Sequence, residues 1–86
     1  MTTADIVDWL IYRVAAHTEQ PRRLIDTTIP LAELGIASLT AVALCGEVED
    51  EWDIDADPTM VFDYPTILDL AGFIAAEVAL RTERAA

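Results

Sequence analysis

The fold can be read from Leu34-Gly35-Ile36-Ala37-Ser38-Leu39-Thr40-Ala41-Val42-Ala43-Leu44-Cys45-Gly46-Glu47-Val48. Ala41, Leu44, Cys45 and Val48, with Trp52 beyond them, recur at helical spacing and form one apolar stripe. Leu39, Val42, Ala43, Gly46, Glu49 and Asp50 fall mostly outside it. The spacing predicts a helix over 38–52. Gly35 permits a tight turn just ahead of it. Ser38 stands where an N-cap belongs, its hydroxyl close to free backbone N–H groups. Gly46 costs the helix roughly 1 kcal/mol against alanine. Close packing over it would account for its presence, and simple tolerance is the alternative.

Working outward, two further segments carry the same period. Ile6, Val7, Leu10, Ile11 and Val14 share a broad face and predict a helix over 4–16, with Thr2 or Thr3 as cap and Asp5 in its first turn. Ile67, Leu70, Ala71, Ile74 and Val78 predict another over 66–81. Pro65 keeps Tyr64 out of it, Thr66 caps it, and Asp69 completes a capping-box variant. Residues 83–86 are expected to fray. Asp57 followed by Pro58 suggests a short helix over 58–62, with Met60, Val61 and Phe62 plugging the bundle. Residues 18–37 make an unusually long connection, whose Leu24, Ile25, Ile29, Leu31, Leu34 and Ile36 suggest that it packs back over the helices. The expected fold is all-α: a four-helix bundle with a long first loop and a short third helix, one domain over 1–86.

Composition narrows function. The 86 residues carry 16 acids against five arginines and no lysine, a net charge of −11. Such a field repels nucleic acid and suits basic protein partners. One cysteine allows no internal disulfide, and Cys45 with His17 is too few for zinc. The opening residues lack a signal peptide, and no run is long enough to span a membrane. The expectation is a soluble, cytoplasmic monomer; the Met1 start suggests a free-standing protein, and a domain excised from a longer chain would look the same.

A serine at a helix start is commonly a cap and nothing more. The positive end of the helix would equally favour a phosphodiester on that hydroxyl. Hydrolase chemistry is disfavoured, since Ser38 lies in no G-x-S-x-G elbow. His17, the only histidine, suits the end of the first helix, where a cation meets the dipole. Asp53, Asp55 and Asp57 alternate as in a calcium loop, but Pro58 and Tyr64 stand where glycine and glutamate are needed. Trp9 and Trp52 read as packing, and Cys45 as a small buried apolar residue.

The string Leu34 to Leu44, then Glu49, Phe62-Asp63-Tyr64-Pro65-Thr66 and Leu70-Ala71, resembles the acyl carrier protein family from Ile25 to Ile74. The Phe62–Thr66 segment looks most like carriers of polyketide synthases. The resemblance implies that Ser38 receives 4′-phosphopantetheine from coenzyme A, through a phosphopantetheinyl transferase acting with magnesium. The arm's thiol would hold an acyl group as a thioester, in polyketide or fatty-acid-type biosynthesis. Leu39, Val42, Gly46, Glu47, Glu49 and Asp50 would face partners: an acyltransferase, ketosynthase or acyl ligase. No catalytic residue and no metal are implied. Two positions depart from the family. Ala37 replaces the usual acid before the serine, and Ala43 replaces another frequent acid, which suggests a specialised partner. A peptidyl carrier is the nearest alternative, although such carriers usually have glycine where Ile36 stands. An unmodified helical interaction module is the other.

Overall fold

The computed structural model describes residues 2–85. It contains α1 (Thr3–Thr18), α2 (Ser38–Trp52), α3 (Met60–Asp63) and α4 (Ile67–Ala85), with a 3₁₀ turn at Arg22–Leu24 in the long connection. No strand occurs among the described residues, and none of their helices is long and apolar enough to cross a membrane.

Local chemistry accounts for the helix ends. At α1, the Asp5 N–H donates to Thr2 Oγ1 (3.2 Å) and the Thr2 N–H to the Asp5 carboxylate (2.9 Å), a reciprocal capping box. The helix runs past Ala16 to Thr18 and stops where Glu19 turns left-handed, its N–H returning to the Ala15 carbonyl. At α4, the Asp69 N–H donates to Thr66 Oγ1 (3.1 Å), so Thr66 caps as its sequence position suggests. This helix continues to Ala85 instead of fraying from Glu83, and Ala86 lies outside the described residues. α3 starts at Met60, later than expected. The Asp57 carboxylate accepts from the Thr59 N–H (2.9 Å) and hydroxyl (2.8 Å), so Pro58 and Thr59 are consumed in a turn before the helix begins.

The core joins Ile6, Leu10 and Val14 of α1 to Ala41, Leu44, Cys45 and Val48 of α2, and to Ile67, Leu70, Ala71 and Ile74 of α4. No polar or charged residue is buried among those described. Trp9 and Trp52 meet edge to face at 4.5 Å, packing as expected against the core's rim. Met60 alone of its trio is buried; Val61 is half-buried, and Phe62 is 79% exposed. A four-residue helix has one inward position, and Met60 occupies it.

The long connection packs back as expected, through Ile25, Leu31, Leu34 and Ile36. Burying each such side chain stabilises the fold by roughly 1.5–3 kcal/mol, which orders a segment with little regular structure. Leu24 is the exception, 58% exposed, because the 3₁₀ turn holds it on an outer edge. Backbone bonds pin the segment: the Leu31 N–H to the Pro65 carbonyl (2.6 Å), the Leu68 N–H to the Thr27 carbonyl (3.3 Å) and the Ile36 N–H to the Leu31 carbonyl (3.0 Å). Gly35 makes the final turn into α2 at φ +104°, and a Cβ there would meet Thr18 Cγ2 at 3.4 Å.

The glycines on either side of Ser38 differ in kind. Nothing lies within 4 Å of a Cβ placed on Gly46, so of the two readings of this glycine, simple tolerance holds within the fold and close packing does not. Gly46→Ala is expected to raise stability by about 1 kcal/mol. Gly35→Ala is expected to lower it by more than about 1 kcal/mol, because alanine resists that backbone angle. Urea unfolding of both variants checks the pair.

Candidate functional site

Ser38 is the first residue of α2, not its cap. The cap is Ala37, extended at φ −109° and ψ 179°, and no side chain caps the helix. Burial of Ile36 forces this register: once its side chain is inside, the chain has one extended residue before the helix begins. Ser38 is exposed, and its hydroxyl forms no hydrogen bond among the described residues. The Ala41 N–H to Ala37 carbonyl bond (2.8 Å) is the first of the helix. The N–H groups of Ser38, Leu39 and Thr40 therefore reach no acceptor among the described residues. The first turn holds no acid. The result is an accessible hydroxyl beside three free donors at the positive end of a helix of 15 residues.

Beside it opens an apolar groove of about 540 Å³, lined by Pro30, Ile36, Ala41, Val42, Val61 and Phe62 among others. Its polar edge is limited to the Ser38 and Thr59 side chains, and no charged residue lines it. The exposed Phe62, expected inside the bundle, instead borders this groove. A free hydroxyl, free N–H donors and a neighbouring apolar trough fit a phosphodiester with an organic tail.

The residues expected to meet partners divide. Leu39 (86% exposed) and Val42 stand on the outer face of α2 with Glu49 and Asp50, while Gly46 is half-buried. Glu47 turns the other way. Its carboxylate accepts from the Arg13 guanidinium and lies 2.7 Å from His17 Nε2, joining α1 to α2. His17 does occupy the last turn of α1, yet its contact is this carboxylate. No local pattern exposes the link, because Arg13 and His17 lie a helix and a long connection away in sequence. Cys45 is buried, and its thiol is pushed up to about 11 by burial, with Glu49 and Asp57 adding to the effect. It is no nucleophile near neutrality. Among the described residues no group of three potential ligands is arranged to hold a metal.

Residues 8–74 match the family model described as "Phosphopantetheine attachment site", and the chain belongs to that family. The family carries covalently attached 4′-phosphopantetheine. The chain is similar to a phenolphthiocerol/phthiocerol polyketide synthase of Mycobacterium tuberculosis, 41% identical over 66 residues, which cover 77% of this chain and 4% of that one. It is similar to polyketide synthase PksR of Bacillus subtilis, 35% identical over 72 residues, covering 84% of this chain and 3% of that one. The chain thus spans only a few per cent of these curated relatives. A free-standing peptidyl carrier protein from Acinetobacter baumannii superposes with TM-score 0.85 at 28% identity, covering 88% of this chain and 95% of that one. The HMG-ACPI domain of the CurA module from Lyngbya majuscula shares the fold, with TM-score 0.87 at 22% identity over 94% of this chain and 82% of that one. An all-α carrier fold, expected from the sequence, is therefore the observed one.

The Glu47 link has a pH signature. Burial alone would raise the Glu47 pKa, but the hydrogen bonds from Arg13 and His17 outweigh it and hold it below the ordinary glutamate value. A carboxyl with a depressed folded pKa stabilises the fold above its unfolded pKa, and that contribution is lost as pH falls through the folded value. Glu47→Gln is expected to be less stable than wild type near neutrality, with the difference shrinking below about pH 4.5. Unfolding midpoints measured from pH 7 downward check this.

Proposed function

We propose that Ser38 is the attachment residue, and that the domain is an acyl carrier of polyketide-type biosynthesis that performs no chemistry of its own. The observation that carries the reading is the exposed, unbonded Ser38 hydroxyl at an uncapped helix start, in a chain of the phosphopantetheine attachment family. The polyketide assignment draws on the names of the similar synthases. Loading by a phosphopantetheinyl transferase would use Ser38 Oγ as nucleophile on coenzyme A, with adenosine 3′,5′-bisphosphate leaving. Once attached, the arm supplies a thiol that holds an acyl group as a thioester.

The protein's own residues have three tasks. Ser38 presents the hydroxyl in solvent, where a transferase can reach it. The N–H groups of Ser38, Leu39 and Thr40 face the position of the phosphate charge. The outer face of α2, with Leu39, Val42, Gly46, Glu49 and Asp50, meets basic surfaces of an acyltransferase, ketosynthase or ligase. Glu47 is engaged with Arg13 and His17 and contributes to that face less directly. Tethering then concentrates the intermediate at each partner in turn. We assign the working form to a monomer in the cytoplasm. A peptidyl carrier is the second reading, favoured by the likeness to the Acinetobacter baumannii protein.

Incubation with coenzyme A, magnesium and a broad-specificity transferase is expected to add the mass of one phosphopantetheine to wild type and none to Ser38→Ala. Were Ser38 a cap, as its residue type suggests, that substitution would cost about 1 kcal/mol. Because Ser38 caps nothing, the variant is expected within about 0.5 kcal/mol of wild type. An unmodified wild type across several transferases, or continued loading of the variant, would overturn the assignment. The loaded form is also expected to be more stable than the free form by about 0.3–1 kcal/mol, because the phosphate supplies the anion that the helix start lacks. Ala37→Asp, which provides such a charge beforehand, is expected to shrink that gain in thermal melts.

A further inference from the structure

The five arginines are unevenly placed. Arg13 is bonded to Glu47 and Arg81 to Asp53. Arg84, near the end of α4, is exposed and single; Arg22 and Arg23, adjacent in the 3₁₀ turn, are exposed as a pair, and none of the three forms an ion pair among the described residues, in a chain with 16 acids. A depression of about 450 Å³ lies between this turn and α1, lined by Asp8, Ile11, Arg22 and Arg23. Tyr12 adjoins it, 53% exposed, with the Arg22 guanidinium 6.0 Å and the Arg13 guanidinium 5.8 Å from its ring centroid. Leu24, the third residue of the turn, is also exposed. No residue of the turn is buried, so core packing does not explain its composition.

We propose that this depression is a second docking surface, and that its occupant is a segment of a protein partner bearing an aliphatic side chain flanked by carboxylates. The aliphatic side chain fits against Ile11, and the carboxylates meet Arg22 and Arg23, whose planar guanidinium groups favour them. Asp8 repels a carboxylate on the α1 side, which sets the orientation of the segment. Tyr12 and Leu24 extend the contact with apolar area. Charge complementarity disfavours the bases that suit α2: Glu49, Asp50 and Glu51 are acidic, whereas this patch sets two arginines against the one acid, Asp8. A membrane is disfavoured because two arginines attract anionic lipid weakly against a net charge of −11. The surface does not depend on the loading of Ser38.

The test uses the ¹⁵N-labelled full chain and a blocked helical peptide carrying Glu and Leu on one face. At low salt, shifts are expected at Ile11, Tyr12 and Arg22–Ile25, with affinity about ten-fold lower for Arg22→Glu/Arg23→Glu. Arg22→Gln/Arg23→Gln is expected to fall between the two, and unchanged melting of both variants establishes that they fold. Salt is expected to weaken binding. Shifts confined to α2, or equal affinity in the charge-reversed variant, would sink the proposal. So would concentration-dependent shifts of the same amides without peptide, which mean a second copy, or arginine-dependent binding to phosphatidylglycerol vesicles, which means a lipid surface. Ser38→Ala should bind the peptide normally, so failure here and failure of loading are separable.

Discussion

Burial of Ala41, Leu44, Cys45 and Val48 sets the rotation of α2, and the outward surface follows from it. Turning the helix by one residue would bring Val42, Cys45, Gly46 and Glu49 inward instead. That change removes Leu44 and Val48 from the core, at roughly 1.5–3 kcal/mol for each. It also carries a carboxylate into an apolar interior that holds no polar residue among those described. The exposure of Leu39 and Val42 is thus enforced by the opposite face. Glu47, one position before Val48, sits at the margin of the stripe, and that is where Arg13 and His17 can reach it.

Rotation alone does not place the start of the helix. The long connection does, through the Leu31–Pro65 bond and the burial of Leu34 and Ile36 on either side of Gly35. With Ile36 inside and Gly35 at positive φ, the chain reaches α2 with Ala37 extended and Ser38 outside. Two distant segments therefore cooperate on one serine. The α3–α4 junction contributes Pro65, whose carbonyl anchors Leu31, and α3 contributes Phe62 to the adjoining groove.

Periodic features were legible in the sequence because burial repeats along a helix: the three long stripes lie inward, and Thr2 and Thr66 cap as their positions imply, whereas among the described residues the Asp69 carboxylate does not complete the capping box that its spacing suggests. Ser38 was legible as a position on a helix start, but not as an uncapped one. A cap-favouring residue type says nothing of whether its neighbour already holds the cap, and here burial of Ile36 decides. Phe62 and Leu24 misled for a related reason. Hydrophobic character predicts burial only where an element is long enough to have an inside, and neither α3 nor the 3₁₀ turn is. The Arg13–Glu47–His17 cluster was not legible, because it exists only once α1 and α2 are packed together.

The charge layout follows from the same geometry. A small chain with 16 acids must keep them in water, and the outer faces of α2 and the following connection take many of them. Self-repulsion there works against compactness. Two bonds offset it at points where helices meet: Glu47 is drawn to α1, and Asp53 to Arg81 of α4 at 2.9 Å. The first is part-buried and the second exposed, so the first is less screened. Holding α2 by its inner edge leaves Glu49, Asp50 and Glu51 on its outer edge without ion-pair partners among the described residues. The carrier role proposed for that surface would use this separation, since a carboxylate already bonded within the fold would have to break one contact to make another.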